Sequence, residues 1–429
     1  METIYNDAKI CGKKLLILAG ADVHNKLVRA AKELGVYTIV TDYLKPEDSP
    51  AKLIADEHWE IDINDIDILA EKCKKENVDG VIAFCIDPAQ IPYRRLCTKL
   101  NFPCYATDKQ FEIFTNKQIF KNYCRIHNVG TIPEYTVDDI VSGNVSFPIL
   151  IKPNITRGSR GQTICFKPEE VEEAIQKAED ESLDKKFLIE KYMGEAHDME
   201  FSWMVINGRP FLIEIGDRTL GKAEDDLNRQ QIMTILPSVV IDEYYSNAHQ
   251  RICEMIKSTG MKFGAVFMQG FWLEGKEYMY DPGCRFPGAD YEDVLSEYLG
   301  FDSPKAFIRF ALTGDTSSCY GDPESVARLN DGVALCLSIA CRAGKINEID
   351  GFDKIKDYPG IVSISHRYGI GGEVPASGDV RQRVAEFFGY FPDRASAKHF
   401  VEVVYSNISY RDANGNDMIV SKVDPDRIV

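Results

Sequence analysis

The sequence has no CxxC pair, no paired-histidine spacing, no basic stripe, and no apolar run near the ~20 residues of a membrane span. Each absence removes a class of function. Twelve cysteines stand singly, and Cys85, Cys165 and Cys336 lie in apolar segments where cysteine acts as a small hydrophobe. Disulfides and zinc are therefore not expected, and a reducing cytoplasm is the expected location. The opening METIYNDAKICGKKLLILAG holds no signal-peptide apolar core. Net charge is 50 − 67 = −17, so nucleic acid is not expected as a partner, because phosphate-backbone affinity needs clustered cations. Neither GxxxxGK[ST] nor GxGxxG occurs, and there are no internal repeats or low-complexity stretches.

What remains is a chain of 429 residues with 44% hydrophobic and 27% charged residues, too long for one core and divided into two to four packed subdomains. Residues 14–20 (KLLILAG) read as a buried strand ending on a glycine. A helix over 25–34, a strand over 36–41 and further strand–helix alternation to residue 100 predict an open parallel α/β domain. The turn GADVHN matches the dinucleotide fingerprint poorly, which makes this domain a scaffold. Further on, we expect helices over 168–179, 246–258 and 380–388, and strands over 187–191, 199–206, 211–215, 264–273, 277–281, 362–367 and 373–375. The expected divisions are 1–111 (α/β), 112–145 (helical link), 146–207 (small αβ lid), 208–329 (central antiparallel sheet) and 330–429 (β-rich).

The most informative stretch is FPILIKPNITRGSRG, residues 147–161. An apolar strand fixes Lys152, and a loop with Arg157, Gly158, Ser159, Arg160 and Gly161 lets backbone N–H groups approach an anion without a Cβ in the way. That combination suits a polyphosphate. Lys117 lies on a preceding helix, Glu190-Lys191-Tyr192 ends a later strand, and Gln269 faces Asp281 across a tight turn ahead of Arg285. One carboxylate and one amide aimed at a single cation suit Mg²⁺ (or Mn²⁺), which keeps waters and phosphate oxygens for its other positions.

In this order the motifs resemble the ATP-grasp superfamily, particularly carbamoyl phosphate synthase large-subunit halves, biotin carboxylase and the purine-pathway carboxylate–amine ligases. The resemblance spans nearly the whole chain and implies an α/β fold: an N-terminal parallel domain, a mobile lid, a central antiparallel domain and a β-rich tail. It implies ATP and a divalent metal as cofactors, with Lys117, Lys152 and the 157–161 loop on the phosphates. Glu190 would accept from the adenine amine, with the Lys191–Tyr192 backbone facing the ring and Asp198 on the ribose. Gln269 and Asp281 would hold the metal, and Arg285 the transferring phosphate.

The family's Glu-x-Asn-x-Arg is Asp281-Pro282-Gly283-Cys284-Arg285 here, so the asparagine ligand is absent. Asp198 is likewise shorter than the family's glutamate. Arg367, in SISHRYGIGGEV, is a candidate clamp for the substrate carboxylate, and Arg218 and Lys222 face the acceptor. Cys284 has no histidine base nearby in sequence and reads as filler. The expected activity joins a small carboxylic acid, an amino acid included, to an amine through an acyl-phosphate, releasing ADP and phosphate. Carboxyphosphate or carbamate phosphorylation and a non-catalytic ATP-binding sensor are the alternatives. The expected partners are small molecules, with no membrane, and relatives of this kind are often homodimers.

Overall fold

The computed structural model describes residues 7–155, 161–194, 196–221, 230–288 and 291–428. The chain begins with β1 (Lys14–Leu18), α1 (Asn25–Glu33), β2 (Tyr37–Asp42), α2 (Pro50–Ile54), β3 (Glu57–Glu60), α3 (Ile66–Lys75), β4 (Gly80–Ile82) and α4 (Asp87–Leu100). These strands pair in parallel in the order β3-β2-β1-β4. Leu15 to Leu18 are all fully buried, so the strand reads as a continuous apolar run rather than an alternation. In the turn after β1, the Gly20 N–H donates to Asp42 at 2.9 Å, and Lys52 pairs with the same carboxylate at 2.6 Å. A side chain thus occupies the place an anion would take, which fits a scaffold.

α5 (Asp108–Ile113) and α6 (Lys117–Ile126) lead to β5 (Glu134–Tyr135), α7 (Val137–Val141), β6 (Ile149–Pro153), β7 (Thr163–Cys165), α8 (Val171–Glu181) and β8 (Phe187–Lys191). Their antiparallel sheet runs β5-β8-β6-β7. Val171, Ala174 and Ala178 of α8 bury Ile149, Ile151 and Ile189 in a small core of their own. This separate core makes the unit a discrete layer over the cleft. Gly161 stands at its edge with φ +71°, where a Cβ would lie 2.8 Å from both Pro153 and Glu181.

Most of the remaining strands build one large sheet. Its strands come from β9 (His197–Ile206), β10 (Arg209–Leu220), β11 (Gln231–Leu236), β12 (Gly264–Leu273) and β13 (Lys276–Gly283), with α9 (Ile241–Asn247) and α10 (His249–Ser258) between β11 and β12. After α11 (Tyr291–Leu299) and α12 (Ser303–Thr313) come β14 (Val333–Cys341), β15 (Gly344–Lys345), β16 (Glu348–Asp350), β17 (Ile361–His366), β18 (Glu373–Val374), β19 (Arg383–Phe391), α13 (Arg394–Asn407), β20 (Ser409–Arg411) and β21 (Ile419–Val420). Among the described residues the sheet order is β13-β12-β9-β10-β11-β14-β19-β17, with β21 on β14. No helix among the described residues is long and apolar enough to cross a membrane.

Three expectations change. The helix expected over 380–388 is strand β19, whose Phe387 and Phe388 are both buried, so alternation is lost. The helix expected over 246–258 is two, interrupted at Ala248, whose φ/ψ of −131°/−35° is not helical. β9 pairs with β10 and β12 in the large sheet, so the small sheet's strands end at Lys191 and residues 197–206 are not part of that layer.

Candidate active site

Asn116 caps α6 by accepting from the Gln118 and Ile119 N–H groups at 3.1 and 3.2 Å, which fixes Lys117 as the first helical residue. Lys117 Nζ lies 2.8 Å from Asp281. Burial works against its charge, but Asp281, Glu190 and Asp87 hold its pKa above the ordinary lysine value. Lys121, four residues on and so on the same helical face, is fully buried. It pairs with Glu190 and, at 3.1 Å, with Glu134, which Arg125 pairs from outside. Glu190 in turn lies 2.8 Å from Lys152. A chain of five charges therefore runs Arg125–Glu134–Lys121–Glu190–Lys152. Burial, followed by Lys121 and Lys117, lowers the Lys152 pKa against the pull of Glu190. Burial would raise the Glu190 pKa, but the two lysines hold it below the ordinary value.

Lys117, Lys152, Glu190 and Asp198 line a cavity of about 110 Å³ whose apolar sides include Ile132, Leu150, Met193 and Phe271. Lys191 and Tyr192 lie along its edge. The Tyr192 N–H donates to Pro148 at 3.4 Å and the Lys191 N–H to Pro133 at 2.9 Å. An apolar slot beside a strand edge fits a planar base. Asp198 is buried and paired with Arg218 at 2.8 Å, with the Tyr280 hydroxyl donating to it at 3.3 Å. Lys152 sits 5.6 Å from the Tyr280 ring centre.

A larger chamber of about 660 Å³ adjoins the first, and Lys117, Arg218, Gln269 and Asp281 line both. Those four side chains mark the junction. The register explains the convergence: Gln269 on β12 is the cross-strand partner of Asp281 on one side and Glu200 on the other. Arg285 lines the larger chamber only, forked onto Asp87 at 2.6 and 3.0 Å and 5.4 Å from the Phe267 ring. No cluster of three or more His, Cys, Asp and Glu side chains stands ready for a metal among the described residues. The amide and carboxylate oxygens of Gln269 and Asp281 nonetheless fit Mg²⁺, which requires few protein ligands. Gly283 is buried at an ordinary negative φ, and a Cβ there would stay at least 3.4 Å from its neighbours.

The structure brings Lys117, Lys152, Glu190, Lys191, Tyr192, Asp198, Arg218, Gln269, Asp281 and Arg285 to these two cavities. Arg157, Gly158, Ser159, Arg160 and Lys222 lie outside the described residues. Two assignments change. Arg367 is exposed and lines neither cavity; it follows β17, the edge strand at the opposite end of the sheet from β13 and its Asp281. The Glu190 carboxylate turns to Lys121 and Lys152, so it is engaged by two ammonium groups rather than open to an adenine amine. Sequence reasoning missed Lys121, Glu200, Tyr280, Asp87 and Arg383. Only Lys121, at i+4 from Lys117, and Glu200, two residues beyond Asp198, carried a spacing signal.

Residues 125–279 match the family described as "Carbamoyl-phosphate synthase L chain, ATP binding domain". The match runs from the end of α6 into β13 and so takes in the strands that line the smaller cavity. It is 29% identical over 169 residues to a formate-dependent phosphoribosylglycinamide formyltransferase of Prochlorococcus marinus subsp. pastoris, covering 38% of this chain and 43% of that protein. The first three curated relatives are matched over only 43%, 54% and 52% of their own lengths. Among solved structures, an L-amino acid ligase from Bacillus licheniformis superimposes with TM-score 0.75 at 16% identity, covering 94% of this chain and all of that one. The biotin carboxylase domain of Hydrogenobacter thermophilus 2-oxoglutarate carboxylase, solved with MgADP and bicarbonate, gives 0.73 at 20% identity, covering 93% and 91%. These likenesses show that the chain shares its fold with those two structures along nearly its whole length.

Beside the cleft, His197 Nε2 lies 2.7 Å from Asp217, which also takes Arg394 at 3.2 Å. The Asp217 hydrogen bond raises the His197 pKa above 6.5 despite partial burial. A raised folded-state pKa stabilises the fold fully below the unfolded value and ceases to do so as pH rises through the folded value. The melting-temperature gap between wild type and His197→Gln should therefore be widest near pH ~5.5 and narrow by pH ~9. A gap independent of pH would show that the imidazolium makes no net contribution.

Proposed function

We propose that the protein is an ATP-dependent carboxylate–amine ligase releasing ADP and phosphate. The observation that carries this reading is the junction: Lys117, Gln269 and Asp281 line the apolar-sided slot and the larger chamber at once. A carboxylate in the larger chamber would meet the terminal phosphate there, and the acyl-phosphate formed would be displaced by an amine. Lys117 and Lys152 supply point charges for the phosphates, and Gln269 and Asp281 would hold Mg²⁺, which neutralises charge on the transferring group. Arg285 steadies the transferring phosphoryl and acyl oxygens from the chamber side. The small sheet β5-β8-β6-β7 would cover the slot and exclude water from a hydrolysable intermediate.

The test is a matrix of amino acids and small acids, read as ADP release with mass-spectrometric detection of the amide, using Arg285→Ala as the blank. ATP binding without ADP release across the matrix would favour the sensor reading, which the missing asparagine at Gly283 supports. Gly283→Asn separates the two further. The site accepts a Cβ, so restoring the amide should lower the Mg²⁺ concentration for half-maximal ADP release by about tenfold, one ligand's share by analogy with shell effects on metal affinity. An unchanged Mg²⁺ requirement would show that a third protein ligand is not what limits the metal.

A further inference from the structure

Three arginines line the larger chamber among the described residues, and two of them are already engaged. Arg285 gives Nε and Nη2 to the Asp87 carboxylate. Arg218 gives Nη1 to Asp198 and Tyr280, with Glu200 3.6 Å from its Nε. Arg383 stands at the start of β19. Its Nη1 lies 3.0 Å from Glu386 Oε1, the oxygen that also accepts from Ser338 at 3.1 Å. Its Nε is buried and, like that of Arg218, has no hydrogen-bond partner among the described residues, although Arg218 Nε has Glu200 at 3.6 Å. Glu386, itself held by Ser338, fixes the guanidinium through Nη1, and Arg383 lines the chamber.

A buried donor without an acceptor is costly, and a planar guanidinium edge matches a carboxylate in a two-point fork. We infer that Arg383 forms a subsite for a substrate carboxylate that does not react. The reacting carboxylate must lie at the Lys117–Asp281 junction, on β13 at one end of the sheet, whereas Arg383 lies six strands along on β19. The two positions line one chamber and so can hold two ends of the substrate pair. Glu200, buried in the same chamber, provides a complementary place for an amino group beside that carboxylate. The chemical class is an amine bearing its own carboxylate, or a dicarboxylate held by its spare end. The inference rests on the ligase reading for the name "substrate", but its geometry is independent of turnover.

The experiment measures binding and turnover separately. Calorimetry compares each standard amino acid with its primary α-carboxamide, and C4–C6 dicarboxylates with their monoamides, in the presence of Mg-ADP. Wild type should bind at least one acid about tenfold or more tightly than its amide, the discrimination expected of a charged fork. Arg383→Met should bring that ratio to about one, and Arg383→Lys should keep part of it, with ADP affinity unchanged in both. The arm that responds identifies which substrate carries the carboxylate. A ratio that survives Arg383→Met overturns the subsite, as does a panel in which no acid is preferred to its amide. Acid preference lost in Arg383→Met without ADP release would leave the subsite standing and remove ligation. ADP release with an Arg383-independent ratio would do the reverse.

Discussion

Lys121→Met raises the Kd for ATP by roughly tenfold to a hundredfold, and adding Glu190→Gln restores most of it. The reason is charge arithmetic in a buried place. Arg125, Glu134, Lys121, Glu190 and Lys152 together carry three positive and two negative charges, a net of +1. Arg125 and Lys121 balance the two carboxylates, which leaves the charge of Lys152 available to a phosphate. Without Lys121, Glu190 and Lys152 become a closed neutral pair at 2.8 Å, and burial keeps salt from screening it. Removing one partner of a buried pair also destabilises by about 3–5 kcal/mol, so the melting temperature should fall. The double variant distinguishes the two effects. If Lys121 only supports the fold, Glu190→Gln will leave ATP affinity as weak as in the single variant, and the electrostatic account fails.

How much of this was legible in the sequence follows from burial. β1 was legible because a strand covered on both faces leaves the continuous run Leu15–Leu18 and then stops on Gly20. Lys152, Gln269, Asp281 and Arg285 were legible because short strands and a tight turn fix their relative facing, and pairing of Gln269 with Asp281 agrees with that turn. Lys121 was hidden by its type, since a lysine in an amphipathic helix reads as a solvated face although this one is fully buried. Arg383 and Glu386 were hidden by the wrong period. The segment RVAEFFGYF buries adjacent phenylalanines, which imitates a helix and concealed the wall that closes the larger chamber. Arg367 shows the converse error: its strand was read correctly, but strand order across a sheet has no local signature, and β17 lies at the opposite edge from β13.

Arg285→Ala should lower kcat for ADP release by about 10²- to 10³-fold while ATP affinity stays within about twofold, the pattern of a group acting on developing charge. Its position predicts the split. Arg285 lines the larger chamber and not the smaller cavity proposed for the nucleotide, so its removal should not disturb ground-state nucleotide binding. Burial opposes its charge, but Asp87 keeps its pKa raised, so it remains cationic throughout the working range. Arg285→Lys should recover little, because a point charge cannot replace a planar fork already aimed by the Phe267 ring and by Asp87. Asp87→Asn provides the opposing measurement. An acidic substrate must compete with Asp87 for the guanidinium, so neutralising Asp87 should lower the acceptor KM several-fold, by an amount of order one charged hydrogen bond. Were Arg285 merely docking α4 against the central sheet through Asp87, both substitutions would lower stability alike and shift kcat and KM together. Divergent effects, kcat down in one variant and KM down in the other, are what a guanidinium shared between Asp87 and a substrate carboxylate requires.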